Sequence, residues 1–316
     1  MPNPYVLTDD LRTVFTAMDT DCCPRALESA LDKASDRITA SLQEIYQDVE
    51  RIPSSRMSLF LQKGITATEA PIISLVPLMN NSDYPNAQIE TIESSRTVKP
   101  VVQQNGLIAF EDVGSMPRHS NAPALKEQFK TAANNIDGAA SHVHLVDDVV
   151  FTGGTIITLS QQLAEQGITL DTVIANVAIQ EGIDRLKQHR ITVEADLVYT
   201  KVIDEVCMRD FIVGAPAGGR NLLMDDGSYA SVPYLSPFGM AESWGSIKAG
   251  HVSEFSKACL EASLNIWEVI GASVTFKELP KSIFGCNPED SIASTIKQLL
   301  SEQAYEQRPN SNTLRL

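Results

Sequence analysis

Two neighbouring acids, Asp147 and Asp148, are followed within a few residues by the turn Thr152-Gly153-Gly154-Thr155. Carboxylates accept hydrogen bonds and could bind the vicinal hydroxyls of a sugar. Threonine hydroxyls could donate to phosphate oxygens, and glycines carry no Cβ that would keep an anion from backbone N–H groups. Since the acids would repel an anion, we expect them to face the sugar while the turn faces the phosphate. The pattern predicts a sugar-phosphate site.

The elements around these residues are those that such a site needs. The segment 143–150 is apolar except at His144 and the two acids, which is typical of a buried parallel strand. The residues from Ile156 to Ala164 have helical spacing. The acids would then lie near the carboxyl end of a strand, where open α/β sheets bind ligands. The turn would lie at a helix N-terminus, whose N–H groups and dipole attract anions.

This segment resembles the signature of the type I phosphoribosyltransferases, in which apolar residues, two acids and a short variable stretch precede Thr-Gly-Gly-Thr. The resemblance implies that Asp147 and Asp148 are the catalytic pair and hold the ribose hydroxyls of 5-phosphoribosyl-1-pyrophosphate. It implies a substrate site formed by the residues that follow, namely Val149, Val150, Phe151, Thr152, Gly153, Gly154 and Thr155. It also implies Mg²⁺, which the two acids would reach mainly through the ligand.

Five further residues are candidates for the rest of the site. Asn80 and Asn81 follow the predicted strand 72–78, where the family contacts pyrophosphate; an ordinary connecting loop is the alternative. Arg118 lies where the family has a mobile loop, and could touch pyrophosphate or be a surface arginine. Phe211 and Arg220 lie in a segment that resembles the base-binding region of the 6-oxopurine enzymes, where an aromatic ring stacks on the base and an arginine reaches pyrophosphate. The alternative is a glycine-rich turn between strands.

The acceptor is not defined by this resemblance. The 6-oxopurine enzymes use a lysine on the preceding strand, whereas this chain has Ala178-Ile179-Gln180 there. The stretch after Pro216 holds Ala217, Gly218 and Gly219 instead of a metal-binding acid. A purine acceptor is therefore not predicted.

Composition excludes several classes of function. The net charge of −15 argues against a nucleic-acid binder, which needs a basic face. Five scattered cysteines without a CxxC pair predict reduced thiols, a cytoplasmic location and no zinc site. The chain has no apolar run of about 18 residues and no secretory signal at its N-terminus, so no membrane association is expected.

The pattern predicts an α/β fold with a mainly parallel, twisted sheet flanked by helices. We expect a helical segment at 1–60, a phosphoribosyltransferase-like core at 61–222 and an α-rich extension at 223–316 that could act as a hood, lid or partner surface. An apolar stripe in the helix that begins near Pro24 indicates core packing or the face of a homodimer.

Three functions remain open from the sequence. The first is transfer of the phosphoribosyl group to a base-like acceptor with release of pyrophosphate. The second is a non-catalytic protein that senses a nucleotide or phosphoribosyl pyrophosphate. The third is a lyase or hydrolase that acts on a ribosyl phosphate.

Overall fold

The computed structural model describes residues 3–18, 22–76, 84, 86–104, 108–119, 121–136, 141–225, 227–271 and 290–306. The strands within these residues are, in chain order, β1 (Tyr5–Asp9), β2 (Val49–Pro53), β3 (Ile72–Ser74), β4 (Ile89–Thr91), β5 (Ser94–Val102), β6 (Ile108–Pro117), β7 (His142–Val150), β8 (Thr169–Ile179), β9 (Thr192–Tyr199), β10 (Asp204–Cys207), β11 (Arg220–Leu223) and β12 (Tyr229–Val232).

The α-helices of the same residues are α1 (Leu11–Thr16), α2 (Pro24–Ile45), α3 (Ser54–Ala67), α4 (Leu125–Asn135), α5 (Gly154–Ala164), α6 (Gln180–Gln188), α7 (Ala241–Trp244), α8 (Val252–Ile270) and α9 (Ile292–Ser301). Short 3-10 helices cover Met208–Phe211, Ala249–His251 and Ala304–Glu306. No helix among the described residues is long and apolar enough to cross a membrane.

The chain forms two compact units. The first unit comprises Met1–Ile52, Arg96–Gly114 and Ile203–Leu316, and the second comprises Pro53–Ser95 and Ser115–Val202. This division differs from the three consecutive segments that the sequence predicts. The physical reason is pairing between distant strands, because β1 pairs in parallel with β10 and β5 pairs in parallel with β11.

The second unit has a five-stranded sheet in the order β4-β3-β7-β8-β9, and every pairing in it is parallel. Both faces are covered by apolar side chains. Val143 and Leu145 of β7 pack on one side, while Val146 and Ile174 pack with Leu61 of α3 on the other. This double burial explains why the residues of β7 other than its two histidines and two acids are apolar. The predicted α/β fold with a mainly parallel sheet is confirmed.

The strand order of this sheet marks a ligand-binding edge. From β3 the chain adds β4 on one side, and then returns to add β7 on the other side of β3. Such a reversal opens a crevice outside the carboxyl ends of β3 and β7, and ligands of open α/β sheets bind in such a crevice. The predicted acids lie near the carboxyl end of β7, beside this crevice.

The first unit contains a three-stranded sheet, β10-β1-β2, and a four-stranded sheet, β12-β11-β5-β6. Helices α2 and α8 pack against each other in its core. The apolar stripe of α2 is buried within this unit, so it serves core packing. The C-terminal part is helical as predicted, whereas the N-terminal part contains strands β1 and β2 in addition to its helices.

Candidate functional site

The two acids are consecutive residues near the carboxyl end of a buried strand. Asp147 and Asp148 are the sixth and seventh residues of β7, and both are partly exposed. Asp147 is in register with Ala175 of β8, and its Oδ1 accepts the backbone N–H of Asp148 at 2.9 Å. The strand thus presents two carboxylates at the edge of the sheet that the topology marks for ligand binding.

The turn after the acids starts a helix without a side-chain cap. Gly153 is the N-cap of α5, with φ of 71° and ψ of 3°, and its carbonyl accepts the first helical hydrogen bond from Ile157 N–H at 3.0 Å. The cap makes no side-chain hydrogen bond within the described part of the chain. The N–H groups of Gly154, Thr155 and Ile156 belong to the first helical turn and have no acceptor within the helix. Thr152 precedes these groups and Thr155 is among them, and both threonines are exposed residues.

Gly153 is required by its conformation and by its neighbour. Its φ is in the left-handed region, and a Cβ there would lie 2.9 Å from Leu186 Cγ of α6. The first of the two glycines therefore serves the packing of the turn on α6. The missing Cβ of Gly153 thus leaves room for Leu186, whereas the prediction was that it leaves room for an anion.

Gly154 is the glycine that leaves room at the helix N-terminus. The φ of Gly154 is not positive. A Cβ at this position would lie 3.8 Å from Thr152 Oγ1 and 3.7 Å from Arg185 Nη1. The missing methyl group leaves a small space bordered by a hydroxyl donor, a guanidinium and the first turn of α5. These are the donors that a phosphate requires.

Arg185 and Gly182 are the residues that sequence reasoning missed. The exposed guanidinium of Arg185 is 3.4 Å from the Thr152 carbonyl oxygen, at the long end of hydrogen-bond range. A Cβ on Gly182 would lie 2.4 Å from the Phe151 carbonyl oxygen, so only glycine allows α6 to approach the turn this closely. Gly182, Arg185 and Leu186 have the i, i+3, i+4 spacing of one helix face. That spacing is the only signal in the sequence, and it does not reveal which turn the face contacts.

Arg118 lies next to the last residue of β6 and is engaged by backbone groups. Its Nη2 donates to the Ser94 carbonyl at 2.8 Å, and its N–H donates to the Glu93 carbonyl at 3.2 Å. These contacts tie the end of β6 to the start of β5. Asn80 and Asn81 lie outside the described residues.

Phe211 and Arg220 belong to the first unit. Phe211 is fully buried, and its ring packs edge-on against Phe255 at 4.9 Å and Tyr234 at 6.3 Å between ring centroids. An aromatic ring enclosed in this way has no open face for a base, so the predicted stacking role is not supported. The first unit uses Phe211 as a core residue.

Arg220 packs on aromatic rings instead of projecting as a free cation. Its guanidinium carbon lies 5.0 Å from the Trp244 ring centroid and 5.7 Å from that of Tyr234. Its side chain is 11% exposed, and one of its nitrogens lies 3.7 Å from the Asp112 carboxylate. Burial raises the pKa of the Tyr234 hydroxyl, so the phenol stays neutral beside this arginine. The geometry of Arg220 is that of a cation–π packing residue.

The described residues contain no group of three or more His, Cys, Asp or Glu side chains that could hold a metal ion. Asp147 and Asp148 supply oxygen donors, which Mg²⁺ prefers, and Mg²⁺ bound to phosphates commonly keeps waters and uses few carboxylates. The pair suits Mg²⁺ that is carried mainly by ligand oxygens and does not suit a metal site built by the protein alone.

Comparison with known proteins gives no family match. No family model and no curated protein matches the chain. Among solved structures it is similar to orotate phosphoribosyltransferase from Aeropyrum pernix, with 15% identity and a TM-score of 0.27 over 46% of this chain and 69% of that chain. It is similar to adenine phosphoribosyltransferase from Thermoanaerobacter pseudethanolicus, with 13% identity and a TM-score of 0.28 over 46% of this chain and 79% of that one.

UMP synthase from Leishmania donovani is also similar, with 13% identity and a TM-score of 0.28 over 46% of this chain. The chain spans about a quarter of that protein, 27% of its length. Similarities this distant do not define an activity. The residues around the carboxyl end of β7 provide the functional evidence.

Proposed function

We propose that the chain is a phosphoribosyltransferase that binds 5-phosphoribosyl-1-pyrophosphate with Mg²⁺ and transfers the phosphoribosyl group to a base-like acceptor. The observation that carries the proposal is the space at Gly154. It is bordered by the Thr152 hydroxyl, the Arg185 guanidinium and the N-terminus of α5, directly after two carboxylates on β7. This pairing of an anion site with sugar-binding acids is what a ribose 5-phosphate moiety requires.

In this proposal each part of the site has one task. The 5′-phosphate accepts hydrogen bonds from the N–H groups of the first turn of α5 and from the Thr152 and Thr155 hydroxyls, and Arg185 neutralises its charge. Asp147 and Asp148 accept hydrogen bonds from the ribose hydroxyls and fix the orientation of the ring. Bound Mg²⁺ would neutralise charge on the pyrophosphate.

The reaction exchanges one bond at C1 of the ribose. The bond from C1 to the pyrophosphate oxygen breaks, and the pyrophosphate leaves with the electron pair. A ring nitrogen of the acceptor forms the new bond to C1, and its proton passes to solvent. The two acids favour this step because they hold the sugar in place and lie close to the positive charge that develops on it.

The test combines binding with turnover. Calorimetry with ribose 5-phosphate compares the wild-type chain with the double variant Asp147→Asn/Asp148→Asn. Loss of charged hydrogen bonds worth about 1.5–3 kcal/mol each predicts at least a tenfold weaker affinity. Asp171→Asn is the matched control, because Asp171 lies near the amino end of β8 and its carboxylate pairs with His142. Unchanged affinity in the double variant would contradict the site.

Turnover is measured as pyrophosphate release from phosphoribosyl pyrophosphate with Mg²⁺ and a panel of bases. Release that depends on the base supports transfer. Binding without base-dependent release contradicts transfer and leaves a protein that binds the sugar phosphate without converting it.

A further inference from the structure

The second unit contains a cavity of about 240 Å³ whose lining includes Thr155. Thr155 belongs to Thr152-Gly153-Gly154-Thr155, which we call the anion turn because it borders the proposed phosphate position. Its apolar wall includes Phe129 of α4 and Leu159 of α5, and its polar lining includes Thr155, Thr158 and Gln162 of α5. The mixture of one aromatic ring, aliphatic groups and a few polar groups is typical of a site for a small molecule. Its volume is below the usual range for drug-sized ligands and suits a single ring.

Among the residues that line this cavity, Gln162 has a buried polar atom that is unpaired within the described part of the chain. Its Oε1 is buried and accepts no hydrogen bond from any described residue. Buried polar atoms in native proteins are nearly always paired, with protein groups or with ordered water or a ligand. An unpaired acceptor in the lining of a cavity indicates that an occupant supplies an N–H or O–H donor.

The cavity is connected to the anion turn through one face of α5. Thr155, Thr158, Leu159 and Gln162 have the i, i+3, i+4, i+7 spacing that places side chains on the same side of a helix. Thr155 belongs to the first turn of α5, next to the proposed phosphate position. Gln162 follows two turns later, about 10 Å further along the axis. A ligand in the cavity would therefore lie between the sugar-phosphate anchor and Gln162.

We infer that this cavity binds the acceptor, a single-ring nitrogen heterocycle whose ring N–H donates to Gln162 Oε1 while the ring packs on Phe129. The role as acceptor rests on the proposed function, whereas the binding of the heterocycle does not. Phosphoribosyl transfer consumes a second ring nitrogen of such a heterocycle, which bonds to C1 while the first keeps its proton and its hydrogen bond to Gln162. The cavity would thus bind the acceptor, which is the substrate that the signature does not define.

The experiment measures binding of free heterocycles by saturation-transfer NMR and calorimetry, without any sugar phosphate. The panel is uracil, cytosine and imidazole, and 1,3-dimethyluracil is the control ligand because it keeps the uracil ring but has no N–H. We expect at least one N–H heterocycle to bind, and Gln162→Leu to weaken it at least tenfold. If uracil is that ligand, 1,3-dimethyluracil should also bind at least tenfold more weakly to the wild-type chain.

Gln161→Leu is the matched protein control, since Gln161 is the exposed neighbour on the same helix. Gln162→Leu should leave ribose 5-phosphate affinity unchanged. If no member of the panel binds, or if Gln162→Leu binds it as the wild-type chain does, the inference is wrong. Failure of ribose 5-phosphate to bind the wild-type chain would instead contradict the proposed function, and the two failures are read from separate titrations.

Discussion

Replacement of Gly154 by alanine separates ligand binding from folding. Gly154 is the first residue of α5 and has no positive φ, so alanine can adopt its conformation. The added methyl group would lie 3.7 Å from Arg185 Nη1 and 3.8 Å from Thr152 Oγ1, which is ordinary van der Waals contact. Nothing in the protein has to move to accommodate it. What it fills is the space that we assign to the phosphate.

Gly154→Ala is expected to stabilise the fold and to weaken ligand binding. A Gly→Ala change at a compatible position stabilises a protein by about 0.4–1 kcal/mol, because it reduces the freedom of the unfolded chain. A phosphate oxygen that accepts from Thr152 or Arg185 lies about 2.8 Å from the donor, so the methyl group would compete for its position. Losing one or two charge-assisted hydrogen bonds, each worth about 1.5–3 kcal/mol, weakens binding roughly tenfold to a thousandfold or more.

The assay pairs a thermal melt with calorimetric titration of ribose 5-phosphate. We expect Gly154→Ala to melt at the same temperature as the wild-type chain or higher, and to bind ribose 5-phosphate at least tenfold more weakly. Gly250→Ala is the control, because a Cβ on Gly250 has no heavy atom within 4 Å. If Gly154→Ala binds with wild-type affinity, the phosphate does not occupy this space. A lower melting temperature would show that the alanine strains the turn, contrary to the contact distances.

Two other substitutions, one in each unit, test the role of a charged side chain. Arg185→Gln should weaken ribose 5-phosphate binding several-fold and reduce its dependence on salt, whereas Lys187→Gln, which removes the same charge from the same helix, should change both far less. Equal effects of the two would mean that Arg185 acts only through net charge. In the first unit, burial raises the pKa of Asp204, against hydrogen bonds from Ser246 and from a backbone N–H that lower it. The unfolded chain therefore loses this proton at a lower pH than the folded chain does, and stability falls as pH rises between the two pKa values. Asp204→Asn should raise the free energy of unfolding at pH 7, with the gain vanishing below about pH 4; a gain that persists in acid would rule out this titration as its cause.

The strand, acids, turn and helix could be predicted because they are contiguous. Apolar residues, two carboxylates and Thr152-Gly153-Gly154-Thr155 predict β7, a turn and the start of α5 through local rules alone. The same locality explains the prediction of α2, where Pro24 is the first helical residue. The local structure of such contiguous patterns is determined by neighbouring residues, so it can be predicted without knowing which distant strands pair.

The division into units could not be predicted for the opposite reason. Tyr5 of β1 is in register with Asp204 of β10, and no local pattern indicates that these strands pair. The segment of Phe211 resembles a base-binding region, yet its ring is enclosed by Tyr234 and Phe255 in the core. A sequence shows that an aromatic residue is present, but whether its face is open depends on residues far along the chain.

The proposed phosphate site is formed jointly by α5 and one face of α6, so the signature alone does not specify it. Gly182 lets the Phe151 carbonyl approach α6, Leu186 fills the space beneath Gly153, and Arg185 brings a positive charge to Thr152. A chain with the same signature but a bulkier residue in place of Gly182 would have to shift the turn, because the Cβ would lie 2.4 Å from a backbone oxygen. The signature therefore fixes which groups could meet a phosphate. The contacts of α6 determine where those groups lie, and therefore whether they can bind one phosphate at the same time.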